Sequence, residues 1–223
     1  MQTWSIKAGG ATIAGVLGVL ALLISQQPAQ AAVQIFALGG VASMQQGSVL
    51  TVPAAQGDSV AGGPMLGAVK VEAILAAYHS PMAGDGQYIE DLSQQYQVSD
   101  GFALADWIHE DGLGGNPAAL IAIDGHNPGN LRYGELSGWH NPFSGFAMFG
   151  SWREGEENWF ALIRHGYLDG QETVARTNCM RLYGHNCTTI PEIISVYAPS
   201  SDHNDPSGYA SAVEAQIAQW QKG

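Results

Sequence analysis

The sequence predicts a mostly helical protein of the α+β class, in which several helices accompany one small β-rich segment. Apolar residues recur at helical spacing in most of the chain after residue 68. Ser or Thr followed three residues later by Glu marks two helix starts. Between residues 134 and 150 the helical period is lost, and glycines, a proline and short aromatic runs replace it. Helices beside one such segment indicate an α+β layout.

The first 31 residues have the features of an export signal. Lys7 is followed by an apolar run over residues 11–24, and Ala29-Gln30-Ala31 has the small-residue pattern of a cleavage site. The apolar run approaches the roughly 17 residues that a membrane span requires, so an uncleaved anchor stays open as the alternative. Both interpretations place the rest of the chain outside the cytoplasm, secreted or anchored at its N-terminus.

Residues 32–67 form the second predicted segment. They are rich in Gly, Ala, Gln and Ser and show no sustained hydrophobic period. Such a composition is typical of a flexible leader or tether. The domain organisation predicted from sequence is therefore a signal peptide or anchor over 1–31, a tether over 32–67 and one folded domain over 68–223.

Helix signals then follow in order along the domain. Ser80-Pro81 ends the first helix, Ser99 is a suitable N-cap for the third, and Asp205-Pro206 opens the last. The capping boxes are Ser151 with Glu154, and Thr189 with Glu192. The helices predicted from these signals cover residues 69–79, 88–96, 102–110, 118–123, 152–163, 174–183, 192–197 and about 206–220.

The two cysteines, Cys179 and Cys187, lie close together in the sequence. In an exported chain such a pair is expected to form one disulfide at a helix-to-loop junction. Zinc is the alternative because His185 lies between them, but a fourth ligand is missing, so we expect no metal and no cofactor.

Charge restricts the class of partner. The chain has 8 Lys and Arg against 20 Asp and Glu, a net charge of −12. Nucleic-acid binding is excluded because it needs clustered basic residues. An anionic wall polymer would have to be held by hydrogen bonds and aromatic stacking instead of by charge.

One helix end carries the strongest chemical pattern. An apolar helix ends in Glu110 and Asp111, and a turn rich in Asn, Pro and Gly follows at residues 126–130. Burial of Glu110 against Trp107 and Ile108 would favour its protonated form, which a general acid needs. A solvated helix-end glutamate is the alternative. Asp111 lies about 100° around the helix from its neighbour and is expected to be a surface or helix-end charge.

Several stretches in this order resemble the glucosaminidase branch of the lysozyme superfamily, glycoside hydrolase family 73, whose domains are mannosyl-glycoprotein endo-beta-N-acetylglucosaminidase-like. The stretches are HEDGLGG (109–115), HNPGNLRY (126–133), FAMFGSWREGEENWFALI (146–163) and VYAPSSDHNDPSGY (196–209), preceded by AYHSPMAGDGQYI (77–89). The resemblance covers about residues 70–222. It implies a lysozyme-like fold, in which a helical lobe and a small β-hairpin lobe at 134–150 form a cleft. The sequence departs from the family at His126, where Asn is common, and at Gly114-Gly115.

The resemblance assigns Glu110 as the catalytic acid. Most glycosidases also use a second carboxylate as base or nucleophile. The candidates within reach are Asp124, Glu135, Glu154 and Glu156. Glu154 is explained as a capping-box residue and Glu156 as helix surface, and the resemblance favours Glu135 in the hairpin segment. The N-acetyl group of the substrate is the alternative to a second carboxylate.

The resemblance also indicates substrate-binding residues. Asn127, Asn130 and Tyr133 are expected to line the cleft from the turn, and Tyr197 to stack against a sugar ring. Their local alternatives are turn formation by the asparagines and a half-buried tyrosine with a satisfied hydroxyl. Asp202, Asn204 and Asp205 are expected to cap the last helix in preference to binding calcium.

The resemblance therefore predicts an exported, monomeric peptidoglycan hydrolase of the β-N-acetylglucosaminidase type, acting on N-acetylglucosamine-containing glycan. A muramidase or lytic transglycosylase would share the fold and the acid. A catalytically silent wall-binding or envelope scaffold is the alternative outside the enzymes, and the acidity of the chain favours it.

Overall fold

Helices make up most of the computed structural model, which describes residues 60–116, 119–136 and 145–222. The helices are α1 (Ala68–Ala77), α2 (Gly86–Tyr96), α3 (Asp100–Asp111), α4 (Leu120–Gly125), α5 (Trp152–Ala161), α6 (Val174–Tyr183), α7 (Ile190–Tyr197) and α8 (Pro206–Gln221). A π-helix, Leu162–Leu168, continues α5, and a short 3₁₀ helix, Ser200–Asp202, follows α7. The mostly helical prediction is confirmed.

The helix starts follow the predicted caps. The Ser99 hydroxyl accepts a hydrogen bond from the Phe102 backbone N–H, 3.2 Å long, at the start of α3. Thr189 and Glu192 form a capping box at the start of α7, and the Asp205 carboxylate accepts from the Gly208 N–H at the start of α8. Each cap satisfies a backbone donor that has no partner within the helix.

Helix α3 lies at the centre of the helical part. Its first eight residues, 100–107, are all buried, and α2 and α8 pack against it. The Trp107 ring meets Trp159 of α5 edge to face, with centroids 5.4 Å apart, and Phe160 completes this aromatic contact. Burial of several large rings at one point holds α3 against α5.

Carboxylates hold backbone amides at several turns. Asp100 accepts hydrogen bonds of 2.7–3.2 Å from the N–H groups of residues 65–67. Glu72 accepts from Gly84 and Gly86, and Glu90 accepts from Ala68. These bonds fix the ends of α1 and α2 without a basic side chain.

The packed part begins before residue 68, where the tether was predicted to end. Val60 is fully buried, its carbonyl accepts from the Ser99 N–H, and the Asp100 carboxylate holds residues 65–67. Residues 60–67 therefore belong to the folded unit, and the predicted tether boundary is wrong by eight residues. The signal or anchor segment and residues 32–59 lie outside the described residues.

The segments on either side of residues 137–144 pair in antiparallel fashion. Arg132 and Phe146 form an isolated bridge, and the flanking bonds run from Tyr133 N–H to Gly145 O and from Ala147 N–H to Leu131 O, both 2.9 Å. The predicted hairpin tip lies outside the described residues. The paired segments form one side of the cleft described below.

The predicted disulfide is present. Cys179 of α6 is bonded to Cys187 in the loop that precedes α7, which is the helix-to-loop junction expected from sequence. Both sulfur atoms are therefore engaged with each other and are not thiolate ligands. Within the ranges that the structure describes, no helix combines the length and apolar character of a membrane-crossing segment.

Candidate active site

A cleft of about 200 Å³ lies at the end of α3. It is bounded by the end of α3, the turn before Leu131, the paired segments around Arg132 and Phe146, and the region after α7. The lining residues are Glu110, Asn130, Arg132, Glu135, Phe146, Tyr197, Ala198, Asp202 and Asn204. Three of these, Glu110, Glu135 and Asp202, carry carboxylates.

Glu110 stands on the last turn of α3 and is held at both oxygens. Its Oε2 accepts a hydrogen bond of 2.9 Å from Asn130 Nδ2, and its Oε1 accepts one of 2.7 Å from the Tyr209 hydroxyl. Gly112 then ends the helix in the left-handed conformation, at φ 69°. The half-buried carboxyl group is thus fixed in position at the cleft.

The turn that carries Asn130 is built by Asn127. The Asn127 side chain is fully buried, donates to the carbonyls of Leu131 (3.0 Å) and Ala147 (2.9 Å), and accepts from the Leu131 N–H (2.8 Å). Gly129 packs so closely on Trp159 that a Cβ atom would overlap the indole. Asn127 therefore holds the turn in place, whereas Asn130 faces the cleft.

Behind Glu110 lies a buried acid that the sequence analysis did not select. Asp106, one turn earlier on α3, is 1% exposed; its Oδ1 lies 2.8 Å from Tyr209 Oη, and its Oδ2 accepts a hydrogen bond of 3.0 Å from Trp159 Nε1. Burial, and next the neighbouring Glu110, raise the pKa of Asp106 well above its ordinary value. The His109 ring stacks on Tyr209 at 3.7 Å and fixes the phenol ring. The i, i+4 spacing of the two acids on one helix was the available signal.

Glu135 brings a second carboxyl group to the cleft. Its Oε2 accepts a hydrogen bond of 3.1 Å from the Arg132 N–H. Burial raises the pKa of Glu135 to about 7; the opposing effects of Arg132 and the reinforcing effect of Glu110 are smaller. This carboxyl group changes its charge near neutral pH. Glu135 also lines an adjoining cavity of about 750 Å³ beside α6.

An ion pair joins two of the segments that line the cleft. The Arg132 guanidinium lies 2.6 Å from the Asp202 carboxylate, and it also lies over the Phe146 ring, 5.4 Å from its centroid. Asp202 therefore pairs with an arginine and does not cap α8, which is the role of Asp205.

The two predicted tyrosines differ in their surroundings. Tyr197 lines the cleft and its hydroxyl donates to the Gly129 carbonyl, so its ring stands against the turn. Burial raises the pKa of Tyr197 well above its ordinary value, which keeps the phenol neutral. Tyr133 is 47% exposed and is outside the lining of this cleft.

Two carboxylates that were expected at the surface are buried, which corrects the prediction. Asp111 is 1% exposed, and burial raises its pKa to about 8. Glu156 is fully buried, neither oxygen has a hydrogen-bond partner among the described residues, and burial raises its pKa to about 9. Neither of them lines the cleft. Of the remaining candidates, Asp124 is exposed, and Glu154 accepts from the Gly150 N–H at the start of α5.

The described residues contain no group of three or more His, Cys, Asp or Glu side chains placed to hold a metal ion. The chemistry that the cleft offers is proton transfer by carboxyl groups and hydrogen bonding by Asn130 and the neutral phenol of Tyr197. Comparison of the chain with protein-family models and with curated proteins gave no match.

Proposed function

We propose that the protein is an exported peptidoglycan hydrolase that cleaves β-1,4 glycosidic bonds next to N-acetylglucosamine, with Glu110 as the general acid. The observation that carries the proposal is the presence of two carboxyl groups, Glu110 and Glu135, in one cleft of about 200 Å³. Glycosidic cleavage in most enzymes uses two such groups on opposite sides of the bond. The proposal includes a lysozyme-like arrangement, in which the paired segments around Arg132 and Phe146 form one wall.

The roles follow from the surroundings of the two groups. Glu110 protonates the leaving oxygen, and its hydrogen bonds from Tyr209 and Asn130 stabilise the carboxylate that remains. Glu135 acts as the base that takes a proton from the attacking water, and for this it must be ionised. The N-acetyl group of the substrate replaces Glu135 in the alternative mechanism.

The substrate class rests on the shape and polarity of the cleft. Asn130 and the ring of Tyr197 offer the hydrogen bonds and the stacking surface that a sugar requires. The adjoining cavity of about 750 Å³ shares Glu135 with the cleft, so a chain of several sugars can extend along α6. The signal-like N-terminus and the disulfide support export.

Digestion of purified peptidoglycan followed by mass analysis of the new ends tests the proposal. Reducing N-acetylglucosamine ends are expected. Reducing N-acetylmuramic acid would instead identify a muramidase, and anhydro-muramic ends a lytic transglycosylase. The absence of any product would favour the silent wall-binding scaffold.

A pair of adjacent variants tests the role of Glu110 itself. Glu110→Gln retains the shape of the side chain but lacks the transferable proton, so the rate should fall by about 10²-fold or more. Asp111→Asn is the matched control because Asp111 is the next residue on the same helix but does not line the cleft. Equal losses in both variants, or full activity of Glu110→Gln, would contradict the assignment.

A further inference from the structure

The Tyr209 hydroxyl lies between two carboxyl groups of α3. It is 2.8 Å from Asp106 Oδ1 and 2.7 Å from Glu110 Oε1, with a longer contact of 3.4 Å to the Asp106 carbonyl oxygen. A phenol has one hydrogen to donate. For both short contacts to be hydrogen bonds, one of the two carboxyl groups must therefore donate a hydrogen to the Tyr209 oxygen.

The surroundings indicate that Asp106 is the donor. Asp106 is 1% exposed, whereas Glu110 is half-buried at the cleft, so a negative charge costs less on Glu110. The Trp159 N–H already donates to Asp106 Oδ2, which leaves Oδ1 to carry the hydrogen. The pKa of Asp106, raised well above its ordinary value by burial, agrees with this.

We infer that Asp106 is a neutral carboxylic acid which, through Tyr209, fixes which oxygen of Glu110 carries the catalytic proton. The hydrogen bonds run from Asp106 Oδ1–H to the Tyr209 oxygen, and from Tyr209 O–H to Glu110 Oε1. Because Oε1 accepts from the Tyr209 hydroxyl, the Glu110 proton is placed on Oε2, whose remaining lone pair accepts the hydrogen bond from Asn130 Nδ2. Asp106 is thus a positioning residue for the acid. This inference rests on the proposed function of Glu110.

The direction of these hydrogen bonds matters when Glu110 transfers its proton to the leaving oxygen. The Oε2–H bond breaks, the leaving oxygen gains the hydrogen, the glycosidic C–O bond breaks, and water supplies the new oxygen after giving its proton to the base. The charge left on Glu110 is met at once by the Tyr209 hydrogen. An ionised Asp106 would instead attract that hydrogen, and Glu110 would direct its own proton at Tyr209 and away from the cleft.

Other titratable groups face the hydrogen-bonded group of Asp106, Tyr209 and Glu110 from each element packed against it. They are His109 and Asp111 from α3, Arg132 and Glu135 from the paired segments, Tyr167 from the π-helix, and Tyr197 from α7. The phenols of Tyr167 and Tyr197, whose pKa values are raised, stay neutral, and the neighbouring carboxyl groups of Glu110 and Asp111 disfavour a negative charge on Asp106.

The first test needs no substrate. In the full chain with ¹³C-labelled aspartate, the Asp106 carboxyl resonance is assigned by its loss in Asp106→Asn and followed across neutral and mildly acidic pH. We expect the chemical shift of a protonated acid throughout. The shift of a carboxylate would overturn the inference. Because this result does not depend on cleavage, failure of the proposed function alone would be seen separately as absence of glycan products.

The second test compares two replacements of Asp106. In Asp106→Asn the amide oxygen must face the Trp159 donor, so the NH₂ group faces Tyr209 and preserves the direction of the hydrogen bonds. In Asp106→Leu both bonds are lost. We expect the glycan-cleavage rate to fall by about 10- to 100-fold in Asp106→Leu, and by less than about fivefold in Asp106→Asn. Equal losses would overturn the inference.

A double variant covers the case in which Asp106→Leu folds poorly. Tyr209→Phe removes the hydroxyl through which Asp106 acts. Adding Asp106→Asn to Tyr209→Phe should therefore leave the rate and its pH profile unchanged relative to Tyr209→Phe alone. An additional change of the pH profile would show that Asp106 acts by another route, and would overturn the inference.

Discussion

Gly155 of α5 lies directly against the backbone carbonyl of His126. A Cβ atom on Gly155 would overlap that carbonyl oxygen, and it would also lie 2.9 Å from Pro128 Cδ. Helix α5 and the turn that carries Asn130 are thus in contact through backbone atoms. The position of the cleft residue Asn130 depends on a residue that has no side chain.

Gly155→Ala should displace the turn and lower both stability and activity. Overpacking of this kind typically costs about 1–3 kcal/mol. Gly125→Ala is the matched control because its added methyl group would meet its nearest neighbour, the Ala147 carbonyl, at an ordinary 3.5 Å. Thermal denaturation and the rate of glycan cleavage measure the two effects. A melting temperature of Gly155→Ala equal to that of Gly125→Ala would contradict the contact.

Ionisation of the proposed base, Glu135, should make the rate of cleavage depend on pH near neutrality. Burial raises the pKa of Glu135 to about 7, and the base form is the ionised one, so the rate should rise as the pH passes through about 7. Glu135→Gln should remove this pH dependence and lower the rate by about 10²-fold or more. The measurement is the pH dependence of kcat/KM. An unchanged rate in Glu135→Gln would assign the base to the substrate N-acetyl group.

Buried carboxyl groups away from the cleft should make stability depend on pH. Burial raises the pKa of Glu156 to about 9 and that of Asp111 to about 8, whereas both ionise near pH 4 in the unfolded chain. Between these values the folded state binds more protons. Each group therefore lowers the free energy of unfolding as the pH rises from about 4 to its folded pKa, by at most about 1.4 kcal/mol per pH unit.

Chemical denaturation from pH 5 to pH 9 measures this dependence. Glu156→Gln should flatten the decline and leave the protein more stable than the wild type at pH 9. The neighbouring Glu157→Gln is the control, because Glu157 is exposed on the same helix. The same slope in the wild type and in Glu156→Gln would show that the fold does not raise the pKa of Glu156.

Deletion from the N-terminal side should be tolerated up to residue 59 and should destabilise the fold when it reaches residue 67. Deleting residues 32–59 is expected to leave the melting temperature unchanged. Extending the deletion to residue 67 removes the buried Val60 and all the amide donors from residues 65–67 to the buried Asp100 carboxylate. Asp100 then keeps the hydrogen bond from the Gly101 N–H but loses the donors of residues 65–67, and removing the partners of a buried carboxylate is strongly destabilising. Equal melting temperatures for the two deletions would show that residues 60–67 do not contribute to the fold.

The sequence was sufficient for elements that depend on local chemistry. Ser99, Thr189 and Asp205 each cap the helix that they were expected to start, since a cap depends on residues three or four apart. Residues 60–67 were assigned to the tether because they have no period of their own. Their packing depends on Asp100, more than 30 residues away.

The candidate site was predicted from the sequence in part. Glu110 and Asn130 were identified and are hydrogen-bonded to each other. Asp106 was overlooked, although its spacing of four residues places it on the same helix face as Glu110. Glu156 lies four residues after Trp152 and three before Trp159, which places it on the same face of α5 as these rings. It was nevertheless assigned to the helix surface because its side chain is charged. Whether an acid on a helix face is buried depends on the neighbouring helices, which sequence spacing does not show.

The carboxylates that hold backbone amides have a consequence for the behaviour of the protein in salt. Asp100, Glu72 and Glu90 bind N–H groups of the main chain and need no lysine or arginine. The partly buried contacts of Asp100 and Glu90 are screened far less than exposed ion pairs, whereas the mutual repulsion of a chain with net charge −12 is screened strongly. We therefore expect concentrated sodium chloride to raise the melting temperature, so that a brine would be a favourable medium for this fold.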